Sequence, residues 1–217
     1  MPNYLLIAVV VLIPTLIGAK ARQEPPDTID DAAVYEAVIE HTLRDSFESY
    51  AGGRTASPRT TIQMVGRTVS TCESGHDSSL GCGSSSFDIE VALNSTLTPN
   101  AAGDRIPVDR VPTAVTRAEL KTQFRLRNAT SHPLTRPRSG DVVVLTDDQF
   151  REVQSRMING ERGNYAAFSL PAYSSDGHAV VYVMYVCGNL CGKFWLFLLE
   201  KVDSKWRVQG LRLLGIA

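Results

Sequence analysis

The chain has 217 residues, 43% of them apolar, with 22 Lys and Arg against 23 Asp and Glu and a formal net charge of -1. That length suits one globular domain with a core of ordinary size. So high an apolar fraction and so small a net charge exclude a disordered chain, a collagen-like repeat and a polybasic nucleic-acid binder.

The N-terminus sets the expected compartment. Leu5 to Gly18 is an apolar run of 14 residues broken only by Pro14 and Thr15. A spanning helix needs about 17–25 such residues, so the run has the length of a signal-peptide core rather than an anchor. Ala19-Lys20-Ala21 follows as a cleavage site, which predicts residues 1–21 as a signal peptide and 22–217 as a single mature domain. The segment Met1 to Tyr4 is atypical in having no Lys or Arg, and no Cys lies near the cut to carry a lipid. The expected location is secreted or periplasmic, with membrane attachment only if this segment stays uncleaved. Loss of Lys20 leaves 21 basic and 23 acidic residues, a net charge of -2 that again argues against nucleic acid.

From Asp27 or Thr28, a plausible N-cap, Tyr35, Ile39, Leu43 and Phe47 recur at i, i+4 and predict an amphipathic helix ending near Tyr50, before Gly52-Gly53. Asp30 and Asp31 fall in its first turn, where acids suit the helix dipole. Thr60 to Ser70 reads as a strand, followed by a Gly/Ser-rich loop between Cys72 and Cys82 and a weaker strand at 87–93. Residues 94–115 hold three prolines and read as an irregular excursion.

Thr116-x-x-Glu119 has the form of a capping box opening a basic helix to about Arg127. Eight basic residues against three acidic ones lie between Asp104 and Arg138. The plain reading is a solvated helix face, and the sharper one makes Arg117, Lys121, Arg125 and Arg127 a candidate anion or partner patch. Asp141 to Leu145 is a strand, and Thr146-x-x-Gln149 is a second capping box for a helix running to Ile158, closed by Asn159-Gly160.

From Asn164 onward the pattern is all β, with strands expected at 164–171, 178–187, 192–202 and 205–214 and turns at Ser175-Asp176-Gly177 and Asp203-Ser204. Val180 to Val186 and Phe194 to Leu199 are apolar on both faces, which predicts central strands covered on both sides. With Gly188-Asn189-Leu190 as the loop, Cys187 stands opposite Cys191, Tyr185 opposite Lys193 and Val183 opposite Trp195, unless Gly192 hosts a bulge. Tyr185, Trp195 and Phe197 then share one sheet face, a candidate ligand site, with core packing as the plain alternative. The expected fold class is α+β: an N-terminal helix and two further short helices collected against one side of a curved antiparallel sheet that ends in a C-terminal meander.

Four cysteines in an exported chain read as disulfides. Three connectivities are possible, and the economical one pairs Cys72 with Cys82 and Cys187 with Cys191.

The C-terminal run carries a resemblance. Cys187-Gly188-Asn189-Leu190-Cys191-Gly192, then Leu198-Leu199-Glu200-Lys201 and Lys205-Trp206-Arg207-Val208, resembles a family of uncharacterised exported bacterial proteins, a domain of unknown function, with a CG-x-L-CG hairpin. Phe124 to Asn128, Val142 to Phe150 and Phe168 to Gly177 stand in the order that family implies, so the resemblance spans about residues 116–214. It supplies no activity and no catalytic residue. Helix first and curved sheet last is loosely similar to the NTF2-like cone, a likeness of shape from which no function follows.

Chemistry is sparse. Cys187 and Cys191 suit a redox pair poorly at a strand tip, away from a helix N-terminus that would lower a thiol pKa. Cys72, Glu73, His76, Asp77 and Cys82 lack the paired short spacings of a structural zinc site, so no metal and no cofactor is expected. G-x-S-x-G, H-E-x-x-H and S-x-x-K are absent, and His41, His132 and His178 each read as surface or boundary residues. Asn94-Ser-Thr96 and Asn128-Ala-Thr130 match the N-glycosylation pattern. The expected function is non-enzymatic: binding of a protein partner or small ligand, or an envelope-associated role. The alternatives are a thiol–disulfide oxidoreductase using Cys187 and Cys191, or a hydrolase at the concave sheet face with His178 or His41 as base.

Overall fold

The computed structural model describes residues 28–43, 61–70, 112–161, 163–188 and 191–216. The expected strand at 87–93, the Cys72–Cys82 loop and the N-terminal segment lie outside these residues.

Helix α1 (Thr28–Val38) continues as a π-helical turn, Ile39–Leu43. Tyr35, Ile39 and Leu43 are all buried, as their i, i+4 spacing requires. Strand β1 (Ile62–Val65) occupies the middle of the predicted 60–70 strand. Helix α2 (Ala114–Arg127) starts three residues before its expected opening, because its N-cap is Thr113, whose hydroxyl accepts from the Thr116 N–H at 3.2 Å. Thr116 is therefore a first-turn residue and not a cap, and its own hydroxyl is free to serve another element. Strand β2 (Val142–Leu145) and helix α3 (Asp147–Ile158) follow, the latter opened by the predicted reciprocal box: Gln149 N–H to Thr146 Oγ1 at 3.3 Å, Thr146 N–H to Gln149 Oε1 at 2.9 Å.

The strand expected over 164–171 stops at Phe168 as β3 (Asn164–Phe168), and a separate two-residue strand, β4 (Ala172–Tyr173), follows. A hydroxyl interrupts the ladder. Ser169 Oγ takes the Tyr182 N–H at 2.9 Å, Leu170 N–H turns to Asn128 Oδ1 at 2.7 Å, and Pro171 has no N–H to give. Strands β5 (His178–Cys187), β6 (Gly192–Val202) and β7 (Lys205–Ile216) complete the meander.

These seven strands form one sheet, ordered β2-β1-β3-β5-β6-β7, with β4 beside β5. The α+β class stands, but the sheet is mixed: β1 runs parallel to both β2 and β3, and only the part from β3 onward is antiparallel. The β6–β7 pairing slips at Phe194/Trp195 and at Leu198/Leu199, and each slip puts an extra residue in β7. Such bulges increase local twist and help curve an open sheet. The β6–β7 turn is made by Asp203 and Ser204 at φ 49° and 64°, both left-handed, as a two-residue hairpin loop demands.

The helices do not collect on one side. On one face α1 lays Tyr35, Val38 and Ile39 over Phe168, Val181, Val183 and Phe197. On the other, α2 places Leu120 and Phe124 against Val180, Leu196 and Leu198, while α3 packs Phe150, Val153 and Met157 on Val65, Ala167 and Met184. Strands β5 and β6 carry apolar side chains in unbroken runs, so a helix layer over one face alone would leave the alternate set in water.

Candidate functional site

The hairpin tip matches its expected register. Tyr185 pairs with Lys193 and Val183 with Trp195, and the Cys187 N–H donates to the Cys191 carbonyl at 2.7 Å. The two Cα atoms are 4.9 Å apart and the sulfurs are joined as a disulfide. Gly192 pairs with Val186 in step, so no bulge forms there. The two sulfurs differ in setting: Cys187 is 4% exposed within the α1-side core, whereas Cys191 lies at its margin, half-buried.

Tyr185, Trp195 and Phe197 share the α1 face. Trp195 sits between the other two, its ring centroid 6.2 Å from each, and all three are buried in the core. Lys193 holds its ammonium 5.9 Å from the Trp195 ring.

The basic residues of α2 separate. Arg117 donates to the Pro112 carbonyl at 2.8 Å, Arg125 is exposed, Lys121 is half-buried, and both Lys121 and Arg125 hold further interactions within the chain. Arg127 leaves the row. Its guanidinium passes the Pro171 carbonyl, to which Nη1 donates, and Nη2 reaches both carboxylate oxygens of Asp31 at 3.2 and 2.9 Å. Tyr173 on β4 donates its hydroxyl to Asp31 Oδ1 at 2.7 Å and lies 5.2 Å beneath the guanidinium. Burial, then the Asp31 charge, hold the Tyr173 phenol far above the ordinary tyrosine range and raise that of Tyr35, whose hydroxyl donates to the Ser169 carbonyl at 3.1 Å. Asp31 thus serves an ion pair rather than the α1 dipole.

A second polar group gathers at the β4–β5 turn. Asp176 accepts from Ser174 Oγ at 2.6 Å and His178 Nδ1 at 2.9 Å on one oxygen, and from Thr116 Oγ1 at 2.5 Å on the other. Burial alone would raise the Asp176 carboxyl, but the hydrogen bonds from Ser174, Thr116 and His178, with the nearby imidazole charge, bring it from 3.8 to about 2. An ionised carboxylate only accepts, so His178 Nδ1 is the donor in this contact. Ser174 Oγ donates to the carboxylate and not to the imidazole, so the order of a Ser–His–Asp relay is not met. Glu119, expected as the far half of a capping box, instead accepts from Ser175 Oγ at 2.9 Å.

The other candidates lie apart. His41 Nδ1 and His132 Nε2 contact the local hydroxyls of Thr42 and Thr130, at 2.8 and 3.1 Å. Asn128, of the second glycosylation pattern, is fully buried. Cys72, Glu73, His76, Asp77, Cys82 and Asn94 lie outside the described residues. Among the described residues no three His, Cys, Asp or Glu side chains gather where a metal ion would fit, and no helix is long and apolar enough to cross a membrane.

Sequence reasoning missed both polar groups. The Asp31–Arg127 pair joins residues 96 apart and leaves no local signal. The Asp176 group has a partial one, because Ser174-x-Asp176-Gly177-His178 places a hydroxyl, a carboxylate and an imidazole on a tight turn, where they meet by proximity.

The geometry defines a mixed-sheet α+β domain with a disulfide-closed hairpin tip and two polar clusters that tie α1 and α2 to the β4 region. Comparison with protein-family models, with curated proteins and with solved structures finds no match to this chain.

Proposed function

We propose that the protein is an exported bacterial domain, secreted or periplasmic, that binds a protein partner or small ligand and uses its disulfide as a brace, in keeping with the CG-x-L-CG family its C-terminus resembles. The burial of Cys187 supports the brace over a redox pair. An incoming thiolate meets the more accessible Cys191 sulfur, and the leaving group is then a Cys187 thiolate in apolar surroundings, where charge is disfavoured. A bond that breaks into a poor leaving group suits a scaffold and not a turnover cycle.

The test has two arms. Intact-mass spectrometry of protein from its exporting host, alkylated before and after reduction, should give a mature start near Arg22 and cysteines that react only once reduced. Dithiol-dependent insulin reduction should run no faster with the protein than without it. A retained residue 1–21 segment with free thiols ends the export reading, and rapid insulin turnover ends the brace.

A second reading, a hydrolase, has one observation on its side: Asp176 fixes the His178 ring in the manner of a carboxylate that orients a general base. It predicts hydrolysis of p-nitrophenyl acetate that disappears in His178→Gln. A rate equal in the protein and in that variant removes it.

A further inference from the structure

We draw no further inference here: the strongest candidate, the outward face of α2, where Val115 is 78% and Leu126 68% exposed beside Arg125, carries nothing because Arg117, Lys121 and Arg125 already hold partners within the chain and nothing in the structure shows what covers that face.

Discussion

Arg127, in the last turn of α2, is joined to Asp31, in α1, by two hydrogen bonds of 3.2 and 2.9 Å, although the two helices cover opposite faces of the sheet. The guanidinium makes this reach beside β4, steadied by the Pro171 carbonyl and the Tyr173 ring. Asp31 is 2% exposed, so its charge depends on that contact and on the Tyr173 hydroxyl.

Arg127→Ala should therefore destabilise the fold strongly. Removing one partner of a buried pair leaves the other desolvated and uncompensated, typically at a cost of about 3–5 kcal/mol. Asp31→Asn should cost less, because an amide keeps a hydrogen-bond acceptor for Tyr173. Urea unfolding of both variants and of the double variant measures the coupling. Additive losses would show that the two side chains act independently.

Asn128 ties the end of α2 to the strand break. Its Nδ2 donates to the Phe124 and Leu170 carbonyls, each at 3.0 Å, and its Oδ1 accepts from the Leu170 N–H. Asn128→Asp removes the amide donor and faces two carbonyls with a carboxylate, so a loss of about 2–4 kcal/mol is expected in thermal or urea unfolding. A glycan on Nδ2 would break the same contacts. Peptide mapping after expression in a glycosylating host should show Asn128 unmodified, despite its acceptor sequence.

Asp176 predicts a pH limb. Its folded carboxyl is depressed from 3.8 to about 2, so its contribution is present above pH 4 and is lost as the pH falls from about 4 towards 2. The side chain is 44% exposed, which makes the effect small. Asp176→Asn should flatten that part of the stability profile. An unchanged acid limb would show that the three donors do not stabilise the charge.

Gly66 marks where β1 leaves the sheet beside β2. A Cβ there would stand 2.3 Å from the Leu145 carbonyl oxygen, a backbone atom with no rotamer to change. Gly66→Ala should cost about 1–3 kcal/mol through a forced shift of β1 against β2. Gly140→Ala, whose added methyl meets nothing within 4 Å, serves as the control and should be near neutral. Equal midpoints for the two variants in urea would refute the crowding.

The disulfide brace has its own magnitude. Cys187 and Cys191 close a five-residue loop, for which the chain-entropy estimate is about 2 kcal/mol. The Cys187→Ser/Cys191→Ser protein should lose about that much in urea unfolding and keep its far-ultraviolet circular dichroism, because β5 and β6 pair along nine further positions. Collapse of the whole sheet signal would instead make the bridge essential to folding.

By itself the sequence determined what depends on neighbours: the Thr146–Gln149 box, the β5–β6 register, the Asp203–Ser204 turn and the face shared by Tyr185, Trp195 and Phe197. Each follows from a period of two, a period of 3.6 or a turn of a few residues, and the hairpin register transmits turn position into every pair above it. Tertiary structure alone decided that β1 lies parallel between β2 and β3, that the helices divide between the two faces, and that Arg127 and Thr116 belong to Asp31 and Asp176 rather than to a basic row and a cap. Those outcomes join residues far apart in the chain. Burial set them, because apolar strands on both faces require two covering layers and charges drawn inward require partners wherever the fold brings them.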